Sequence, residues 1–117
     1  MIAHVQQSRP PARVQVVAQE FRYSLSRTKV KAGPVIIELV NRGQDTHDLD
    51  LRRVGGTHIF RFPSVQPGQV VDRELRLVPG RYLLWCAIAD HRELGMHAML
   101  RVVRAKPARK PQRGAKA

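Results

Sequence analysis

The stretch Val78-Pro79-Gly80-Arg81-Tyr82-Leu83-Leu84-Trp85-Cys86, followed after a loop by Met96-His97-Ala98-Met99-Leu100-Arg101-Val102-Val103, decides the fold. It opens on a Pro-Gly turn, and then Tyr82, Leu84 and Cys86 fall on one face, opposite Arg81, Leu83 and Trp85. Met96, Ala98, Leu100 and Val102 alternate in the same way with His97, Met99, Arg101 and Val103. A period of two belongs to the pleated strand, whose successive side chains leave on opposite sides.

The same reading extends outward. Val14, Val16 and Ala18 share a face; Phe21, Tyr23 and Leu25 alternate with Glu20, Arg22 and Ser24. Residues 35–40 are apolar except for Glu38, which suits a strand covered on both faces. His47, Leu49 and Leu51 alternate with Asp48, Asp50 and Arg52, so His47 points inward with the leucines. His58, Phe60 and Phe62 share a face, with His58 expected to be partly buried, and Val71, Leu75 and Leu77 stand against Asp72, Glu74 and Arg76. Turns fall at Ala32-Gly33-Pro34, Asn41-Arg42-Gly43, Gly55-Gly56 and Gln66-Pro67-Gly68-Gln69. Seven or eight short strands with turns at this spacing, and no amphipathic helix, predict an all-β antiparallel β-sandwich. Pattern alone leaves a β-barrel open.

At 117 residues the chain holds one domain. It is predicted over 13–104, between a flexible leader at 1–12 and a basic disordered tail at 105–117. Arg104, Lys106, Arg109, Lys110, Arg113 and Lys116 crowd the last fourteen residues with no acid among them. The net charge of +12 steers acidic proteins, anionic membrane surfaces or nucleic acid. Nucleic acid is not expected, because no helix-turn-helix, zinc-finger spacing or aromatic-studded RNA-binding strand accompanies the charge. No apolar stretch approaches the roughly 20 residues of a transmembrane helix. Residues 1–11 lack the apolar core of a secretory signal, which leaves removal of a signal and an internal location both open.

Between Cys86 and Met96 lie nine residues with His91 at their middle. Cys86 is the only cysteine, which excludes an internal disulfide, a bridged dinuclear copper centre and any four-cysteine zinc or iron–sulfur site. Taken singly, each residue has an ordinary explanation: a buried cysteine is usually an inert hydrophobe, and a methionine is core filler. Together, pointing inward at these spacings, Cys86, His91, Met96 and the distant His47 form a soft, low-coordinate donor set. Such a trigonal His–Cys–His set with a weak axial thioether suits Cu(I) and Cu(II) about equally, and so suits one copper ion cycling between them. Zinc would accept Cys-His-His but has little use for a methionine. A Cys-His nucleophilic enzyme would need an exposed thiolate and an oxyanion hole, and nothing in the sequence indicates either.

The pattern Asn41 … His47 … Pro79-Gly80-Arg81-Tyr82 … Cys86-x4-His91-x4-Met96 resembles the cupredoxin family of small type 1 blue copper proteins, over most of the chain from Val14 to Val103. The resemblance implies a Greek-key β-sandwich, with copper held by His47, Cys86, His91 and Met96. It implies a non-enzymatic, monomeric carrier of single electrons between redox partners, in a periplasmic or extracytoplasmic setting. Electrons would leave through His91 across an apolar patch at Ile88, Ala89 and Leu94, with Arg92 and the tail favouring an acidic partner. A copper sequestration or delivery module would use the same ligands, and a structural domain that has lost copper would not keep them. Cys-x4-His-x4-Met is also similar to the type 1 domains of multicopper oxidases. Their additional histidines beside the cysteine are replaced here by Trp85 and Ala87, so oxygen reduction is not expected. Where many blue copper proteins clamp the ligand loop with an asparagine and a hydroxyl residue, this chain has Asp48 and Ala87. Its clamp must therefore use a carboxylate and backbone groups, while a solvated surface acid is an equally open reading of Asp48. His97 points away from the site, and His4 lies on the leader.

Overall fold

A computed structural model describes residues 10–106. Nine strands follow in order: β1 (Ala12–Gln19), β2 (Arg22–Leu25), β3 (Lys29–Lys31), β4 (Gly33–Asn41), β5 (His47–Arg53), β6 (Ile59–Val65), β7 (Val70–Leu77), β8 (Gly80–Trp85) and β9 (His97–Val103). They form two sheets, β2-β1-β4-β7 and β3-β9-β8-β5-β6, packed as a sandwich rather than closed as a barrel. The predicted leader at 1–12 and tail at 105–117 lie mostly outside the described residues, although β1 already takes in Ala12.

The alternation holds along the strands that matter. Val14, Val16, Ala18, Leu49, Leu51, Tyr82, Leu84, Leu100 and Val102 are all buried between the sheets. Burying these apolar faces together removes them from water, which is the main force closing the sandwich. The Tyr82 hydroxyl is satisfied inside this core by donating to the Val78 carbonyl at 2.8 Å. Burial raises its pKa.

Four details differ from the pattern. Among the described residues there are nine strands instead of seven or eight, because the three-residue β3 is too short to show a period. Two pairings, β1 with β4 and β3 with β9, are parallel within otherwise antiparallel sheets. Strand direction leaves no mark on side-chain alternation. Residues 35–40 are not fully covered on both faces: Val35, Ile37 and Leu39 are buried, whereas Ile36 and Glu38 are partly exposed. Glu38 accepts from Gln15 Nε2 at 2.8 Å on that outer side. His58 is exposed rather than partly buried, and rests edge-on against Phe60 with ring centroids 4.5 Å apart.

The registers sort the strand ends into two poles. Ala18 lies beside Asn41, His47 beside Val65, and Trp85 beside His97 at one pole. Ala12 and Gly33, the last residues of β5 and β9, and the start of β8 mark the other. Asn41 joins the sheets at the first pole. Its Nδ2 donates to Val65 O at 2.9 Å and Asp45 O at 2.8 Å, while its Oδ1 accepts from Gly43 N at 2.8 Å. A fully buried amide survives only when so satisfied, and here it shapes the turn that delivers His47.

Candidate metal centre

Each candidate side chain reaches this pole by a different local route. His47 is the first residue of β5, completely buried, with a register shift between it and Leu49 where β5 meets β6. Cys86 follows directly after β8 and is also completely buried. The chain then folds back on itself. His91 N donates to Ile88 O at 3.0 Å, Met96 N to His91 O at 3.0 Å, and Cys86 N to Met96 O at 3.1 Å. These bonds close the nine-residue loop into a tight cap, with His91 only 6% exposed and Met96 wholly buried at its base.

The donor atoms of His47, Cys86 and His91 all lie within 4.8 Å of one another. Cys86 Sγ is 3.6 Å from His91 Nδ1, and the two imidazole centroids are 5.0 Å apart. An ion bonded at roughly 2.0–2.3 Å to each donor would hold them no more than about 4.6 Å apart. That limit is for donors on opposite sides of the ion; three donors around it would stand about 3.5–4.0 Å apart, a spacing the Cys86–His91 pair already has at 3.6 Å and the 4.8 Å span of the whole cluster exceeds. Among the described residues this is the one such cluster.

The hydrogen bonds decide which nitrogen His47 offers. Its Nε2 lies 2.7 Å from Glu20 Oε2. An ionised carboxylate only accepts, so Nε2 carries the proton, and the neutral ring has its lone pair on Nδ1. That Nδ1 is buried and has no hydrogen-bond partner among the described residues. A buried polar atom without a partner is costly and uncommon. An orphaned imidazole nitrogen beside a buried thiol is what a metal-ligand set looks like, and the residues fit one.

Glu20 occupies the turn between β1 and β2 and is held from several sides. Gln44 N donates to both of its oxygens at 2.9 Å, and Asp45 N donates to Oε2 at 2.9 Å. The Asp45 and Gln44 amides, followed by His47, pull its carboxyl down to about 2. It therefore stays charged and orients the ring it touches. Gly43 leaves room for it: a Cβ there would stand 2.2 Å from Glu20 Oε2. Burial pushes the Cys86 thiol up, partly offset by the Asp48 and Ile88 amides. A cation in the pocket would have to displace that proton.

Three further contacts lock the loop. Ala87 N donates to Asp48 Oδ1 at 2.8 Å, which makes Asp48 a carboxylate-to-backbone clamp rather than a solvated surface acid. The Tyr23 hydroxyl donates to the Asp48 carbonyl, and burial raises its pKa. Phe21 packs against His91 with centroids 4.9 Å apart.

Solved structures share this fold. Auracyanin from the photosynthetic bacterium Roseiflexus castenholzii superposes with a TM-score of 0.66 at 15% identity, over 79% of this chain and 97% of its own. Auracyanin A from Chloroflexus aurantiacus, a "blue" copper protein, gives 0.66 at 19% identity, over 80% of this chain and all of its own. A variant of amicyanin gives 0.61 at 19% identity, over 83% and 87%.

The chain has the cupredoxin fold.

No protein-family model and no curated protein sequence matches it. A multicopper oxidase superposes on 83% of this cupredoxin-like chain with a TM-score of 0.62, but the match takes in only 46% of the oxidase. His97 is exposed and turned from the cluster, as its parity required. The sequence reading missed Glu20, which had been a polar residue in an alternating strand. Its partners lie 24 to 27 positions away, so only the packing of the β1–β2 turn beneath the β4–β5 turn reveals it. Asp45 was also missed; its Oδ2 stands 3.7 Å from His91 Nε2 at the rim.

Proposed function

We propose that this protein is a type 1 copper protein that carries single electrons between redox partners without transforming a substrate. The observation that supports it most is the unpartnered Nδ1 of His47, aimed into a buried cluster with Cys86 and His91 while Glu20 occupies the other ring nitrogen. The ligands would be His47, Cys86 and His91, with Met96 as the weak fourth. One bound copper ion would supply a one-electron Cu(I)/Cu(II) couple.

The chain's own residues supply rigidity. Glu20 fixes the plane of His47, the Asp48–Ala87 bond fixes the start of the loop, and the Met96–Cys86 bond fixes its end. Donors that cannot move keep reorganisation small when the charge at the site changes. Auracyanin A, described as a "blue" copper protein, adds support for the reading.

Partners would meet the His91 edge, where partly buried Ile88 and exposed Ala89 and Leu94 surround it. Charge at this rim is mixed, because Asp45, Asp90 and Glu93 stand with Arg92. The acidic partner expected from the overall charge would thus meet both signs of charge here, with Arg92 the cation of the ligand loop. We infer a monomer working outside the cytoplasm, as the resemblance implies. No helix among the described residues is long and apolar enough to cross a membrane.

The visible spectrum tests the assignment. Stoichiometric Cu(II) added to the metal-free protein should give an intense blue or green thiolate-to-copper band. Cys86→Ser should abolish it, and Met96→Leu should keep it with a raised potential. A colourless Cu(II) complex would overturn the reading. Electron self-exchange that is slow compared with copper loss to a chelator would favour sequestration or delivery instead.

A further inference from the structure

Most of the positive charge of this protein lies away from its metal pole, where Arg22, Arg42 and Arg92 stand among five acids. Of its nine acids, Glu20, Asp45, Asp48, Asp90 and Glu93 lie on the turns, strand start and loop around the site. The opposite pole is basic. A hollow of about 490 Å³ there is walled by Arg27, Lys29, Lys31, Arg104 and Lys106, with no acid in its lining. Its floor is apolar, made by Ala12, Val30 and Val103 among others. A second hollow, sharing Arg104, adds Arg81 and Arg101.

Two apolar knobs project from the same pole. Val54, next to Arg53 in the β5–β6 turn, is 38% exposed, and Val78 in the β7–β8 turn is 57% exposed between Arg76 and Arg81. The described chain also ends at this pole. Beyond it the sequence adds Arg109, Lys110, Arg113 and Lys116 and no acid.

We propose that this pole docks on an anionic phospholipid surface and leaves the His91 pole facing outward. Clustered Lys and Arg are drawn to anionic headgroups within a Debye length, and small apolar side chains among them can enter the interface. Nucleic acid is the weaker occupant, because no aromatic side chain lines either hollow to stack a base. An orientation follows from the strands. β8 runs from Gly80 at the basic pole to Trp85 at the metal pole, a rise of roughly 17 Å at 3.3–3.4 Å per residue.

The full chain should sediment with vesicles of phosphatidylglycerol and phosphatidylcholine, stay free of pure phosphatidylcholine, and release as NaCl rises from about 50 to about 500 mM. The combined variant Arg27→Glu, Lys29→Glu, Lys31→Glu should weaken binding by roughly 100-fold. Arg104→Glu with Lys106→Glu probes the same hollow without touching β3, and circular dichroism checks that each variant folds. Arg22→Glu, Arg42→Glu, Arg92→Glu changes net charge equally at the metal pole and should leave binding within a few-fold. Trp85 is the only tryptophan, so brominated acyl chains should leave its emission unchanged. Equal loss from both charge reversals, binding to neutral vesicles, tighter binding to single-stranded DNA than to the vesicles, or quenching of Trp85 would each overturn the proposal.

Discussion

Glu20 Oε2 stands 2.7 Å from His47 Nε2, although 27 positions separate the two residues in the chain. The contact sets the tautomer of the ring, and the Gln44 and Asp45 amides set the carboxylate. A group that orients a metal-binding histidine affects affinity nearly as much as a ligand does. Glu20→Gln should therefore lower Cu(II) affinity by about 10- to 100-fold, read by competition with a chelator. Glu20→Ala should lower it further, since it also strands two amides. Unchanged affinity in both variants would mean the ring is held by packing alone.

Asp48 tests the clamp. Asp48→Asn retains an oxygen for the Ala87 amide, so its melting temperature should stay near that of the wild type. Asp48→Ala removes the acceptor and should cost about 1 kcal/mol in urea unfolding, at the lower end of the range because water can reach the exposed Ala87. Both changes remove a negative charge near Cys86, so both should raise the reduction potential of a copper-loaded protein.

Gly95 is required by its backbone and by its neighbour. Its φ is +126°, and a Cβ there would stand 2.8 Å from the Phe21 carbonyl oxygen. Gly95→Ala should destabilise the fold by about 2 kcal/mol or more. Differential scanning calorimetry would show it, and faster exchange of the Met96 amide should accompany it.

Asp50 supplies a pH dependence. It is only 5% exposed, and burial, then the Asp48 charge, raise its pKa above the ordinary 3.8, with Arg61 opposing. A raised folded pKa means the folded state holds its proton where the unfolded chain has released it. Stability from this group is thus full below pH 3.8 and falls as pH rises through the folded pKa. Asp50→Asn should be more stable than the wild type at neutral pH. Urea titrations of the two should draw together as pH falls below 3.8; a difference that does not vary with pH would contradict the assignment.

Much of the site was legible because its residues are local or parity-bound. Cys86, His91 and Met96 sit on one loop, and strand alternation alone sends Cys86, Met96 and His47 inward. The departure at Asp48 and Ala87 left a carboxylate-to-amide clamp and a solvated surface acid equally open, and the fold decided for the clamp. Glu20 and Asp45 gave no signal, since a turn residue's partners depend on which turn lies beneath it. The parallel pairings escaped for a related reason: alternation records faces and not directions.

The order of residues by itself determined a two-faced β chain, a loop of nine residues between two inward sulfurs, and a large excess of positive charge. Tertiary structure alone decided that Glu20 would leave the Nδ1 of His47 as its free nitrogen, and that most acids would gather at one pole with an acid-free basic hollow at the other. The physical reason is distance along the chain. Periodicity is written between neighbours, whereas a donor cluster and a polar field arise only when strands tens of residues apart share an end of the sandwich.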